Sequence, residues 1–353
     1  MILKMPKYYD KFKCIADKCT DNCCIGWEIE VDSSTNEFYH KVTGEFGKKL
    51  RENIKDGCFI LGEDERCPFL NSKNLCEIII NSGEENLCQI CRDHPRYFEW
   101  YDGIKEGGIG LGCEEAARII LSQKSILTFS EKEIPYESND SYDKELYDVM
   151  YKAREMIFKH LQNKEISLGK RIGDVLIFSD KLQNMVDNYI YKLPSLESEC
   201  DKVEISLKNI LSDIATLDPI DEKWSQYIDE VVSVYDDVSD EKLSTDNADV
   251  SLYLENIALY FIWRYFLKGV FTGEFLSYVK VMAVSIAVIE YFFRCFIKKN
   301  GYLSFENCVD IVKNYSKQVE YSEENMENLR DFSYEKSEYD TQGLAFYLKN
   351  VVF

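Results

Sequence analysis

Ten of the chain's 13 cysteines fall in its first third: Cys14, Cys19, Cys23, Cys24, Cys58, Cys67, Cys76, Cys88, Cys91 and Cys113. Only Cys200, Cys295 and Cys308 lie beyond, within helical patterns that read as core thiols. The opening segment Met1–Asp10 has no apolar stretch of the kind a secretion signal carries, so the expected setting is cytoplasmic and reducing. Disulfides do not persist there, and clustered thiols read instead as metal or iron–sulfur ligands.

The spacing sharpens this reading. Cys14-x4-Cys19-x3-Cys23-Cys24 is followed by Cys67-x8-Cys76, by Cys88-x2-Cys91 and by Cys113. Thiolates select zinc, copper(I) or iron–sulfur iron. A Cys-x2-Cys pair lets two sulfurs reach one centre. Adjacent Cys23 and Cys24 are awkward on a lone tetrahedral zinc and are easier to place on different irons or different sites. Four thiolates hold one [4Fe–4S] cluster, so nine exceed one such site and some must support it or serve another metal. Cys58 lies outside the pattern.

Charge excludes some functions. With 42 basic and 63 acidic side chains, the field repels nucleic-acid phosphates and anionic membranes and attracts a lysine-bearing partner. Between Asp218 and Asp249 stand eleven acids and two lysines, expected to form a solvated surface or an acidic docking face. The best apolar run, 281–297, contains Glu290 and Arg294 and is about a turn short of a bilayer, so a buried helix is expected and no stable membrane insertion.

The expected fold is mainly α, a small cysteine-rich metal-binding domain over 1–123, a linker over 124–144 and an irregular helical bundle over 145–353. Alternation over 27–31 predicts a short strand. Ser34 and Glu37 have the spacing of a capping box and predict a helix reaching Leu50. Asn71-Ser72-Lys73-Asn74 predicts a tight turn, and Glu114–Ser122 a helix. The linker is polar, with Pro135 and Ser138-Asn139-Asp140-Ser141. Helical periodicity then recurs over 146–161, 172–186, 203–217, 224–235, 252–270, 278–297, 305–315 and 322–329.

Three motifs carry a resemblance: Phe12-Lys13-Cys14 through Cys19 to Asp21-x-Cys23-Cys24-x-Gly26-Trp27, then Cys67-Pro68-Phe69-Leu70-Asn71 with Leu75-Cys76, and Leu87-Cys88-x2-Cys91-Arg92-x2-Pro95-Arg96. Residues 8–122 resemble the flagellin lysine-N-methylase family, whose cysteine pattern is shared with a wider group of zinc- or iron-chelating proteins. Beyond them, Leu254-Glu255-Asn256 leading to Tyr260 and Arg264 is also similar. The family has proline after the last motif cysteine, where this chain has Glu114. The resemblance implies a methyltransferase that moves methyl from S-adenosylmethionine to flagellin lysines and holds an iron–sulfur cluster. On this reading the metal ligands are drawn from Cys14, Cys19, Cys23, Cys24, Cys67, Cys76, Cys88, Cys91 and Cys113. The alternative is a non-enzymatic binding module stabilised by zinc or a cluster.

Methyl transfer to lysine needs the neutral amine, yet free lysine titrates near ~10.4. Desolvation or a base must supply it. Asp21 and Glu28 are candidate bases. Arg92 and Arg96 are candidates for the donor's carboxylate, or for offsetting the thiolates. His94 reads as structural, or as ligand or base; His40 and His160 read as ordinary surface or packing residues. Trp27 is expected to pack against the cluster. Glu106-Gly107-Gly108-Ile109-Gly110-Leu111-Gly112 has the glycines of a Rossmann-like donor loop, but no strand–helix series surrounds it. A flexible turn returning Cys113 to the cluster is the expectation.

Overall fold

The computed structural model describes residues 1–26, 28–101, 103–136, 141–196, 199–238 and 249–350. Strand β1 (Ile2–Pro6) leads into a long excursion through the cysteine-rich lobe. There Asp32 rather than Ser34 caps helix α1 (Ser33–Lys41). Its carboxylate accepts from the Thr35 amide at 3.0 Å, a charge-assisted bond stronger than a hydroxyl cap. The same carboxylate takes the Gln89 amide at 2.8 Å, tying α1 to a later helix. Val42 turns extended, so the single helix expected to Leu50 becomes two, the second being α2 (Gly44–Glu52). Gly47 lets α2 press on that break, since a Cβ there would stand 1.9 Å from the Val42 carbonyl oxygen.

A two-rung hairpin follows, β2 (Ile54–Lys55) and β3 (Cys58–Phe59). The strand expected over 27–31 reduces to one bridge between Glu30 and Cys58, and Trp27 lies outside the described residues. The turn at Asn71 forms as expected, its side chain accepting from the amides of Lys73 and Leu75 at 2.8 and 3.1 Å. Short helices α3 (Glu77–Ser82) and α4 (Gln89–Asp93) complete the lobe. It closes over its own core, with Tyr39, Leu50, Phe59, Phe69 and Ile78 at the centre.

The chain then returns as β4 (Arg96–Tyr101) and β5 (Ile104–Ile109). β5 pairs in parallel with β1, Ile2 opposite Ile104, which makes the whole lobe the contents of a crossover connection. Helix α5 (Glu114–Leu121) leads to β6 (Phe129–Glu133), antiparallel to β1, and the sheet order is β4-β5-β1-β6. β6 lies inside the stretch expected to be a linker. Its Phe-Ser-Glu-Lys-Glu sequence looks like a loop because an edge strand keeps polar side chains outward. Residues 137–140 of that stretch lie outside the described residues.

The bundle is built as predicted in kind. Its helices are α6 (Lys144–Leu161), α7 (Leu168–Asp187), α8 (Leu207–Ile214), α9 (Glu222–Ser233), the short α10 (Tyr235–Val238) and α11 (Val250–Tyr265). A 3-10 turn and α12 (Gly269–Thr272) interrupt the long helix expected over 252–270. Then come α13 (Leu276–Asn300), α14 (Phe305–Glu320), α15 (Glu323–Glu335) and α16 (Thr341–Asn350). α13 is the one helix among the described residues long and apolar enough to cross a membrane, but 94% of its apolar window is buried inside the protein. Glu290 and Arg294 lie 2.8 Å apart within it. The main core draws Tyr8, Phe12, Tyr101, Ile109 and Ile120 in with the bundle helices. The division between the two cores therefore lies around the lobe, not at 124–144.

Candidate functional site

All thirteen cysteines are free thiols, and the nine motif cysteines gather in two neighbourhoods. Cys24, Cys67, Cys76, Cys88 and Cys91 line the lobe core, Cys88 with no exposed surface. The Cys67 amide donates to the Cys24 carbonyl at 2.9 Å, and Cys76 bridges back to Leu70. Cys88 stands at the N-cap position of α4 without a side-chain cap bond, and the neighbouring Cys91 thiol holds its pKa below the ordinary thiol value. Cys24 lies within electrostatic reach of Cys67 and Cys76.

The second neighbourhood lies where the lobe meets the bundle. Cys113 caps α5 and packs on the main core. The ring of His94 lies within electrostatic reach of both Cys113 and Cys23. Burial opposes charge on this imidazole, but those two thiols outweigh it and push its pKa up to about 9. Cys14 is within electrostatic reach of Cys23 and Cys113. Cys19 donates to the Asp21 carbonyl at 3.1 Å and lies 3.6 Å from a Glu114 oxygen. Burial first, then Glu114, pushes its thiol up to about 12.

Glu114, the residue that departs from the family pattern, fastens this loop. One oxygen accepts from the Thr20 amide at 2.8 Å and from its hydroxyl at 2.7 Å, and the other pairs with Arg118 at 3.0 Å. Arg118 in turn reaches Glu306 on α14 at 2.7 Å. Asp21, a candidate base, is instead ion-paired with Lys317 at 2.8 Å and Lys313 at 3.3 Å. Burial opposes its charge, yet the two lysines hold its carboxyl below the ordinary range, which weakens it as a base. Glu28, the other candidate, lies 3.6 Å from the Cys58 thiol.

Behind this junction lies a buried aromatic cage. Arg264 of α11 points its guanidinium at the rings of Tyr97, Tyr265 and Tyr260, at 4.6, 5.1 and 5.8 Å. Glu320 at the end of α14 accepts from the hydroxyls of Tyr265 and Tyr260 at 2.6 and 2.7 Å and from Arg264 at 3.1 Å. Tyr321 carries the cage to the thiols, its ring 5.9 Å from that of His94. The glycine-rich stretch is neither a donor loop nor a flexible turn in its first half. It is strand β5, with Glu106 buried against Arg154 at 2.5 Å. Its glycines make room for tyrosines: a Cβ on Gly108 would stand 2.3 Å from the Tyr97 hydroxyl, and one on Gly112 2.3 Å from the Tyr321 ring. Tyr260 and Arg264 bore a family likeness in the sequence, but their meeting with Glu320 across two helices left no local signal.

Arg96 spreads over Phe12 and Tyr9, at 5.1 and 5.8 Å, and donates to the Arg92 carbonyl at 3.1 Å. Arg92 is exposed on α4, next in sequence to Cys91. His40 is exposed and bonded to the Asn36 carbonyl within its own helix, and His160 lies 3.2 Å from Asp174. Cys295 and Cys308 are buried, and Cys200 packs partly against the main core.

Among the described residues, no three Cys, His, Asp or Glu side chains meet closely enough to grip one ion. A cubane spreads the demand over four irons, each taking one thiolate, with the four sulfurs arranged around a single cluster. The chemistry of the donor set fits that group: soft thiols without disulfides, at least four in each neighbourhood.

A model of the FliB lysine N-methylase C-terminal domain matches residues 154–348. The family signal is thus carried by the bundle, where the sequence showed only a few similar residues, and the match begins beyond the cysteine-rich third. The lysine-N-methylase of Salmonella typhimurium strain LT2 is 25% identical over 142 residues, covering 36% of this chain and 35% of that protein. That of Salmonella choleraesuis strain SC-B67 gives the same figures. The flagellar biosynthetic protein FliU of Salmonella muenchen is 24% identical over 140 residues, covering 36% of this chain and 81% of that protein. The matched stretch spans about a third of the length of the two lysine-N-methylases. No solved structure matches.

Proposed function

The chain belongs to the FliB lysine N-methylase family, and from this we propose that it methylates lysines of flagellin with S-adenosylmethionine as donor, in a reducing cytoplasmic setting. The match over 154–348 carries the reading, and a relative named for flagellar biosynthesis supports a flagellar substrate. In the reaction the lone pair of a neutral lysine Nζ forms a bond to the donor's methyl carbon. The carbon–sulfur bond breaks with its electrons returning to sulfur, and the amine loses its proton to solvent or a base.

The motif cysteines are proposed to hold an iron–sulfur cluster, which would supply iron coordination and a redox-capable charge beside the bundle. His94 stands within electrostatic reach of Cys23 and Cys113. Arg92 is the better placed of the two proposed carboxylate partners, because Arg96 is committed to Phe12 and Tyr9. A lysine-bearing substrate is drawn by the negative field, to which Asp229, Glu230, Asp236 and Asp237 contribute.

Mass spectrometry of flagellin co-expressed with the protein tests the proposal. Lysines heavier by one or more methyl groups are expected, and none in a strain lacking the protein. Flagellin that stays unmodified while binding the protein would replace the methylase with the binding-module reading.

A further inference from the structure

An open cavity of about 40 Å³ lies where the segment after β1, the link from α5 to β6 and helix α11 meet. Lys7 and Tyr8 come from the first, Ser125 and Thr128 from the second, and Asn256 and Tyr260 from the third. Asn256 and Tyr260, four apart on α11, share one face of that helix. Two floor residues keep a polar atom unspent. Asn256, 7% exposed, donates its amide Nδ2 to the Leu121 and Gln123 carbonyls at 3.1 and 2.9 Å. That fixes the orientation of the amide and leaves Oδ1 without a donor among the described residues. Tyr8, 6% exposed, has a hydroxyl with no partner among them. Unlike the Tyr97 and Tyr147 hydroxyls, which are sealed without a partner, these two atoms are not closed off, and the cavity is what they open on.

The lining selects a class of ligand. In a chain of net charge -21, no acidic side chain among the described residues lines this cavity, and Lys7 stands exposed at its rim beside the hydroxyls of Ser125 and Thr128. It suits a group that carries an anion and also has hydrogens to give to an amide oxygen. An α-amino-acid head is such a group, and its three polar atoms match the volume, since a water-sized group needs roughly 10–15 Å³. We propose that the cavity seats the α-amino-acid head of the methyl donor, with the ammonium on Asn256 Oδ1 and the carboxylate on the Tyr8 hydroxyl and Lys7. This rests on the S-adenosylmethionine reading above, and it gives the donor's carboxylate a more enclosed seat than exposed Arg92. Tyr260 lines the cavity and donates its hydroxyl to Glu320 at 2.7 Å, which joins this seat to the buried cage. Ile126, 70% exposed at the rim, offers an apolar surface to the rest of the donor.

The test is calorimetric titration of the full chain, purified without oxygen, with S-adenosylhomocysteine and with 5′-methylthioadenosine. The two share adenosine and sulfur, and only the first has the head. The wild type should bind the first at least about tenfold more tightly. Tyr8→Phe takes away a hydroxyl that holds nothing in the protein, so its melting temperature should not fall. Its preference for the head should drop by about tenfold, the worth of one hydrogen bond to a charged group. Lys7→Met should lower the preference by about threefold, as befits an exposed charge. Equal binding of both ligands by the wild type overturns the seat and spares the donor reading. Loss of the preference in Arg92→Ala but not in Tyr8→Phe does the same and returns the carboxylate to α4. Free L-methionine bound as tightly as S-adenosylhomocysteine would make the cavity a site for free amino acids and overturn its assignment to the donor. A chain that binds neither nucleoside overturns the donor reading as well.

Discussion

At the scale of single residues, the junction depends on groups with little to distinguish them in the sequence. Glu114 departs from the family pattern, yet it receives two hydrogen bonds from Thr20 and an ion pair from Arg118. Glu114→Ala leaves the Thr20 donors and one side of Arg118 unmet, a loss of about 1–3 kcal/mol. Urea unfolding should register it, and Glu114→Gln should recover part, because an amide oxygen still accepts from Thr20. An alanine variant as stable as wild type would remove Glu114 as the fastening. Gly112 is a second such position. The Cβ of Gly112→Ala would enter the Tyr321 ring, and overpacking of this kind costs about 1–3 kcal/mol. Trimming the ring with Tyr321→Leu should relieve that cost, so the two changes together should be milder than their sum. Strict additivity in the unfolding curves would show that the ring is not what excludes the side chain.

At the scale of elements, legibility followed burial. The helices over 144–187 and 276–320 were readable because one face or the whole circumference is apolar. β6 was not, since an edge strand with polar side chains has the composition of a loop. α16 was not either. It is short and has glycine within it, and its helix is secured by packing on α7, where Gly173 brings the backbones together. The cysteine spacing was the signal for the proposed metal ligation. The lobe's place inside a crossover was hidden because parallel pairing of β1 with β5 joins residues a hundred positions apart. α13 makes a prediction of its own. Burial pushes Glu290 up to about 7, and Arg294 only partly offsets it. A carboxyl raised above its unfolded value near ~4.3 leaves the folded state holding the extra proton between the two values, so stability falls as pH rises through that window. The loss levels off above about 7 and amounts to about 4 kcal/mol at most by the same linkage. Glu290→Gln should flatten this part of the stability–pH curve between pH 5 and 7. An unchanged slope in the variant would place the pH dependence elsewhere.

For the whole molecule, the governing fact is that two cores share one chain without sharing a sequence boundary. β1 enters the main core, the chain leaves to build the lobe around Tyr39, Phe59 and Phe69, and β4 and β5 return it to the sheet. A lobe with a small apolar cluster, held on the proposed reading by thiolate ligation, is a low-stability cooperative unit beside a bundle whose central helix has 94% of its apolar window buried. Stripping metal under reducing conditions should therefore not melt the protein as one body. Hydrogen exchange read by mass spectrometry should show peptides over 33–91 losing protection by tenfold or more. Peptides over 254–265 and 279–295 should keep theirs. The sheet gives the sharper reading, because β1 and β5 are joined through the lobe but bonded to each other directly. If the lobe is an autonomous insertion, the amides pairing Ile2 with Ile104 stay protected when the lobe opens, since a long flexible connection costs a formed pair little beyond loop-closure entropy. If those amides exchange together with 33–91, the crossover is part of what holds the sheet closed. The proposed metal would then support the face on which the Tyr321 ring lies 5.9 Å from that of His94, and its removal would reach the site through the fold itself.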